Sequence, residues 1–254
     1  MSENGVARTL GLLGIIAEEQ QDVIAAEKLY KKALAIFKKQ GDEHSVALTH
    51  NNLGELALTQ KKITVAKNWL KKAMIFFEKE NNEHDVTVSY YNLGSIALEQ
   101  QKFVEAKKWS EKALVINEKH GNEHASAKNY QLLGMIAQEQ NDFNAAEKFY
   151  KRSLVIFEKQ NDKYGVAIGY FHMGRLSSKT NQWFDAGQWL LKAIQKFDFS
   201  NAPHGATLAM NAYLNNLHAA DPETQTQLRQ QWQQAGLDEI IPLDQLEQKF
   251  NEHN

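Results

Sequence analysis

Three histidines, His44, His84 and His124, stand 40 residues apart, each directly after a glutamate. Imidazole beside carboxylate is a donor set that holds zinc, so a metal row is the sharpest chemistry these residues could offer. The spacing argues against it. Equivalent points in successive packed helical units lie on the order of 10 Å apart, whereas one zinc needs its ligands at about 2 Å. His120 and His124 are four apart, but the turn Gly121-Asn122 falls between them. The chain has no cysteine, which removes a disulfide framework, a thiol nucleophile and thiolate metal sites. No Ser/His/Asp arrangement, paired-acid motif or glycine-rich phosphate loop stands out. The expectation is a protein that is not an enzyme and has no metal and no cofactor.

A second column is basic: Lys32, Lys72, Lys112, Arg152 and Lys192. Such a column could follow a phosphate backbone. Yet Glu78, Glu118, Glu147 and Glu158 are interspersed and the net charge is -2, so a solvated outer face is expected and no nucleic acid.

The elements that carry these columns follow from the register. Leu13-Gly14 recurs as Leu53-Gly54, Leu93-Gly94, Leu133-Gly134 and then Met173-Gly174, always 40 residues on. Ala17, Ala57, Ala97 and Ala137 follow each glycine by three, with Ser177 in the fifth copy. Ala26, Ala66, Ala106, Ala146 and Ala186 follow by twelve; Ala33, Ala73, Ala113 and Ala193 by nineteen, with Ser153 among them. Within a unit the apolar residues recur at spacings of three and four, which marks helices. In the second copy the pattern predicts one helix over 45–60 and another over 63–79. Asp42, Asn82, Asn122 and Asp162 stand where N-caps belong. Gly41 and Gly121 precede two of them, where a left-handed residue closes a helix. The glycines and alanines let paired helices cross closely, and Tyr30, Trp69, Trp109, Phe149 and Trp189 fill the remaining space. The only prolines are Pro203, Pro222 and Pro242, as long helices require.

These columns carry a family resemblance. Leu-Gly, the alanine at the second-helix crossing, then Tyr30, Leu70, Tyr150 or Leu190, then a further alanine, resembles the tetratricopeptide repeat. The unit is 40 residues rather than the usual ~34. Lys38, Glu78, Glu118 and Glu158 stand in place of the closing proline. The chain is closer to the long-helix variants of kinesin light chains, of the sensor regions of bacterial STAND-type ATPases and of peptide-responsive regulators. No G-x-x-x-x-G-K-[ST] sequence is present. The resemblance implies an all-α fold: a right-handed superhelical solenoid of helix-turn-helix repeats, closed by C-terminal capping helices. The five repeats would be 5–44, 45–84, 85–124, 125–164 and 165–204, and the cap 205–254.

In that family the groove is lined from the first helix of each repeat. Carried over, the lining is Leu48, Asn51, Asn52 and Glu55; then Val88, Tyr91, Asn92 and Ser95; then Lys128, Gln131, Leu132 and Met135; then Ile168, Phe171, His172 and Arg175. Asn52 and Asn92 can pair with both halves of a peptide backbone unit, or can bridge adjacent helices. Tyr91 and Phe171 can anchor a partner or pack between helices. Tyr90, Tyr130 and Tyr170 are expected between helices. Only Lys128 and Arg175 are basic at these positions, so the carboxylate clamp of chaperone-binding members is not seen.

After His204 the register weakens. A helix is predicted over 206–219, another opening at Asp221-Pro222-Glu223 and stopped by Gly236, and a last one over 242–250. Ile240, Ile241, Leu243, Leu246 and Phe250 are expected to cover the open face of the fifth repeat. At the other end Leu12 stands where Asn52 and Asn92 stand, and Ile15 where Glu55 and Ser95 stand. That apolar first helix points to self-association or to a longer solenoid. It also explains the stretch 10–17 better than a signal-peptide core does. No apolar run reaches the length of a membrane span, so a cytoplasmic protein without a membrane partner is expected. The function expected is a non-catalytic scaffold binding a peptide segment or a helix of a partner protein in the groove. The alternative is the ligand-sensing module of a larger regulator.

Overall fold

The computed structural model describes residues 2–197 and 203–252, with the side chain of Asn251 excepted. Positions 198–202, where the fifth repeat was expected to end, lie outside the described residues. The described residues form thirteen α-helices and no strand. These are α1 Glu3–Glu19, α2 Val23–Gln40, α3 Glu43–Thr59, α4 Ile63–Lys79, α5 Glu83–Glu99, α6 Phe103–Lys119 and α7 Glu123–Glu139. They continue with α8 Phe143–Lys159, α9 Lys163–Lys179, α10 Trp183–Lys196, α11 Pro203–Ala219, α12 Pro222–Gln234 and α13 Leu243–Glu252. Two compact units result, Met1–Asn122 with α1–α6 and Glu123–Asn254 with α7–α13. No described helix is long and apolar enough to cross a membrane.

One turn design joins the repeat helices. Gln21 N–H donates to Glu18 O at 2.9 Å and Asp22 N–H donates to Ala17 O at 2.8 Å. The next junctions repeat the longer bond, from Asp42 to Phe37 at 3.0 Å, Lys62 to Ala57 at 2.9 Å and Lys102 to Ala97 at 2.8 Å. This is a Schellman closure, with its middle residue in the left-handed region. Gly41 and Gly121 fill that place at φ +67° and +66°. Elsewhere Gln21, Lys61, Asn81, Gln101, Asn141, Asn161 and Asn181 take it, at the steric cost of a Cβ there. The third turn residue also opens the next helix. The side chains of Asp22, Asp42, Asn82, Asp142 and Asp162 each accept from the backbone N–H three residues on. Asp42 caps on Ser45 N–H, so α3 starts at Glu43, two residues before the predicted start.

Within each unit the close crossings sit at the repeated glycines. A Cβ on Gly54 would lie 2.6 Å from Leu70 Cγ, and one on Gly134 would lie 2.4 Å from the Tyr150 ring. Ala26, Ala66, Ala106, Ala146 and Ala186 are fully buried. The first helices α3, α5 and α9 each seat two apolar residues on the preceding pair. Leu53 and Leu56 pack with Ala26, Tyr30 and Leu34, and Leu93 and Ile96 pack with Ala66 and Leu70. In the second unit Met173 and Leu176 pack with Ala146 and Tyr150.

The C-terminal helices bury Tyr213, Leu228 and Trp232 in one core with Leu190, Ile194 and Phe197. Trp232 Nε1–H donates to Ile241 O at 3.2 Å. Arg229 grips Glu247 through both terminal guanidinium nitrogens, at 2.8 and 2.9 Å. Of the five predicted covering residues, Ile241, Leu243, Leu246 and Phe250 join this core. Ile240 is 67% exposed, because Ile240 and Ile241 both turn back on Leu237 O and only one of the pair can face inward.

Candidate functional site

The first helices α3 and α5 are tied side by side by polar residues. Ser89 Oγ donates to Asn51 Oδ1 at 2.6 Å, and Asn92 Nδ2 donates to Glu55 at 2.8 Å. Asn51 and Asn92 are therefore buried bridges between helices. Asn52 differs. It is half-buried, and no described residue hydrogen-bonds its side chain. Its counterpart Asn92 bonds Glu55, and Ile15 stands one repeat earlier where that carboxylate would be. Tyr91 is half-buried, and its phenol is pushed above the ordinary range by burial. Ser95 Oγ is turned back on Tyr91 O at 3.1 Å. With the exposed Leu48 and Val88, these helices present an amide, a phenol and a carboxylate between apolar patches.

In the second unit Gln131 is buried, with Nε2 3.5 Å from Gly165 O. Leu132 is buried too. His172 is buried and lies flat on the Tyr150 ring, centroids 5.0 Å apart and planes 6° from parallel. Burial pulls its pKa down to about 4, helped by the charge of Arg175. Lys128 is exposed, and Met135, Ile168, Phe171 and Arg175 are half-buried. The Arg175 guanidinium stands 5.8 Å over the Phe171 ring. These helices thus offer two cations and an aromatic face.

The basic column has a role that its spacing alone did not show. Tyr90 stacks on Trp109 at 5.4 Å, and Lys112 Nζ lies 4.9 and 5.0 Å from the two ring centroids. Tyr90 OH donates to Glu78 at 2.6 Å, and Lys112 stands 3.5 Å from the same carboxylate. Tyr170, Trp189, Lys192 and Glu158 repeat this: a 5.7 Å stack, Lys192 at 4.5 Å over Trp189, and the hydroxyl 3.0 Å from Glu158. Tyr130 and Phe149 stack at 6.2 Å with Arg152 5.6 Å over Tyr130. His50 takes the tyrosine's place on Trp69 at 5.0 Å, with Lys72 at 4.6 Å over the indole. The cations are exposed, but each rests on an aromatic face. The twelve-residue step from Glu78 to Tyr90 and from Glu158 to Tyr170 was the available signal for this cassette.

Two members of the histidine row face acids from later helices. His44 Nε2 lies 3.6 Å from Asp85, and His124 Nδ1 3.6 Å from Asp162. No group of three metal-binding side chains comes together among the described residues. A cleft of about 420 Å3 opens between α8, α9 and α10, where Glu147, Lys151, Asp185 and Lys192 meet Ser177 and Thr180. None of the predicted groove residues lines it.

The model of the MalT-like TPR region matches residues 8–213. The chain belongs to this family. No curated protein sequence matches this MalT-like TPR chain. Among solved structures, a Rap protein complexed with Competence and Sporulation Factor is similar at TM-score 0.74 and 15% identity, covering 96% of this chain and 72% of that one. The apo form of RapI is similar at TM-score 0.70 and 16% identity, covering 96% and 94%. A STAND protein with a tetratricopeptide repeat sensor from Pyrococcus horikoshii matches at TM-score 0.72 and 19% identity, over 93% of this chain and 36% of that one. At these identities the likeness shows the fold alone.

Proposed function

We propose that this MalT-like TPR chain is a non-catalytic, cytoplasmic scaffold that binds a peptide segment or helix of a partner protein. It does so on the first-helix face, without nucleic acid, membrane or cofactor. The repeats 5–44, 45–84, 85–124, 125–164 and 165–204 each supply first-helix surface within their own unit, and 205–254 is the cap of the second unit. The observation that carries the reading is Asn52, an amide that no described residue hydrogen-bonds, on the same pair of first helices as the acid Glu55 and the aromatic Tyr91, all three half-buried. Each hydrogen bond from such an amide to a peptide contributes about 0.5–1.5 kcal/mol. Asn51 and Asn92 in the first unit, and Gln131 and His172 in the second, act from beneath by holding their helices in register. Ser95 belongs to the first-helix surface of the first unit, and Lys128, Met135, Phe171 and Arg175 to that of the second. The test is affinity capture from host lysate with the intact chain and with the Asn52→Ala/Tyr91→Ala variant, matched for helicity. A protein held by the first and lost by the second is the expected result. Identical captured sets would overturn the assignment.

A ligand-sensing module within a larger regulator is the second reading. It is favoured by the match to a STAND protein with a repeat sensor and to a Rap protein in complex with its factor.

Self-association through α1 is part of the proposal. Leu13 and Ile16 are 45% and 47% exposed, whereas their counterparts Leu53 and Leu56 are 3% and 1% exposed on the preceding pair. A second copy covers this face. Sedimentation at rising concentration is expected to show dimers that Leu13→Glu/Ile16→Glu abolishes; monomers throughout would contradict it.

A further inference from the structure

The junction of α2, α3 and α4 breaks the cassette in two coupled places. At the next junction Glu78 sits between the Tyr90 hydroxyl and Lys112. One repeat earlier, Lys38 holds the position of Glu78, His50 that of Tyr90, Trp69 that of Trp109 and Lys72 that of Lys112. The internal carboxylate is thus replaced by a second cation, and the reaching hydroxyl by a shorter ring. The consequence is visible at His50. His50 is 8% exposed, and its buried Nε2 has no hydrogen-bond partner. In the tautomer protonated on Nε2 that edge is a donor. An unmatched buried donor costs about 1–3 kcal/mol. Burial, then the charges of Lys38 and Lys72, hold the ring neutral. Lys72 Nζ stands 4.6 Å from the centroid of the Trp69 indole, whose ring lies 5.0 Å from that of His50. Lys38 and Lys72 are exposed, and no ion pair joins either to a described acid. In the second unit the equivalent tyrosine and glutamate, Tyr170 and Glu158, line a surface hollow of about 230 Å3.

We infer that the α2–α3–α4 junction binds a carboxylate supplied from outside the chain, held by Lys38, Lys72 and the His50 imidazole. It takes the place that Glu78 fills internally one repeat later. The site is separate from the first-helix face and does not depend on it. A free C-terminus and an acidic side chain carry the same group, and Trp69 reports on both.

The experiment follows the indole resonances of Trp69, Trp109 and Trp189 at neutral pH, with sodium acetate titrated against sodium chloride at equal ionic strength. Trp69 is expected to shift saturably while Trp109 and Trp189 stay in place. Lys38→Glu supplies the carboxylate within the chain, as Glu78 does, and is expected to weaken the acetate response about tenfold or more. The His50→Tyr/Lys38→Glu variant rebuilds the complete cassette and shows that the fold tolerates both changes. Two peptides then separate the sources, acetyl-dialanine with a free terminus and a glutamate peptide blocked at both ends. A response to either supports the site and names its ligand. No Trp69 shift with any carboxylate, equal shifts of all three indoles, an unchanged response in Lys38→Glu, or phosphate acting at lower concentration than acetate would each overturn it.

Discussion

Gly134→Ala is expected to destabilise the protein by about 1–3 kcal/mol, whereas Gly11→Ala is expected to stabilise it by about 0.5–1 kcal/mol. Both glycines lie inside first helices, where glycine itself is unfavourable relative to alanine. Their surroundings decide the sign. A Cβ on Gly134 would stand 2.4 Å and 2.6 Å from two atoms of the Tyr150 ring. That ring cannot yield easily. It is fully buried, His172 is stacked on it at 5.0 Å, and its hydroxyl lies 3.3 Å from Gln138. A Cβ on Gly11 would meet nothing within 4 Å. Urea unfolding of the two variants beside the parent chain checks the contrast. Equal and small effects of both would show that the repeated glycine is not a steric requirement of the crossing.

Acid is expected to weaken the fold well before the carboxylates titrate. His50 and His172 are buried, and both pKa values are pulled from 6.5 down to about 4. Desolvation is the main cause for each; Lys38 and Lys72 add to it at His50, and Arg175 at His172. A folded pKa below the unfolded one means that the unfolded chain takes up the protons first. Stability is therefore at its full value above pH 6.5 and is lost as pH falls toward about 4. The His172 imidazole contributes on the order of 3 kcal/mol across that window, and His50, more open to solvent screening, contributes less. The carboxylates of Glu83 and Glu123 are held low by Lys119 and Lys159, so their loss comes at lower pH. His50→Phe and His172→Phe keep an aromatic ring in the stack and remove the titration. Each is expected to flatten part of the pH dependence measured by urea unfolding. An unchanged slope in both variants would refute the assignment.

The fold was legible because its cause is periodic. The glycine and alanine columns mark helix crossings, and a crossing leaves little choice of side chain at 0% exposure. The closures at Gly41 and Gly121 could be read for the same reason. Their equivalents at Lys61 and Gln101 could not, because the backbone there enters the left-handed region without a glycine to announce it. The helix face was legible only in part. Asn51, Asn52 and Asn92 are one residue type in one column region, yet two are bridges and one is free. The difference rests on Ser89 and Glu55, partners that sit 37 or 38 residues away and are paired only by helix packing. The basic column looked like a solvated face because charge says nothing about the ring beneath it; Lys72, Lys112 and Lys192 each stand over an indole.

The central claim is that a partner lies on the first-helix face, and site-specific photo-crosslinking in the host tests it most directly. A benzophenone side chain would be placed at position 91, on the proposed face, and in a separate chain at position 104, where Val104 is 84% exposed on the second helix α6. Discrete adducts from position 91, absent from position 104 and weakened by Asn52→Ala, are the predicted result. Adducts from position 104 with none from position 91 would contradict the account and move the interaction to the outer helices.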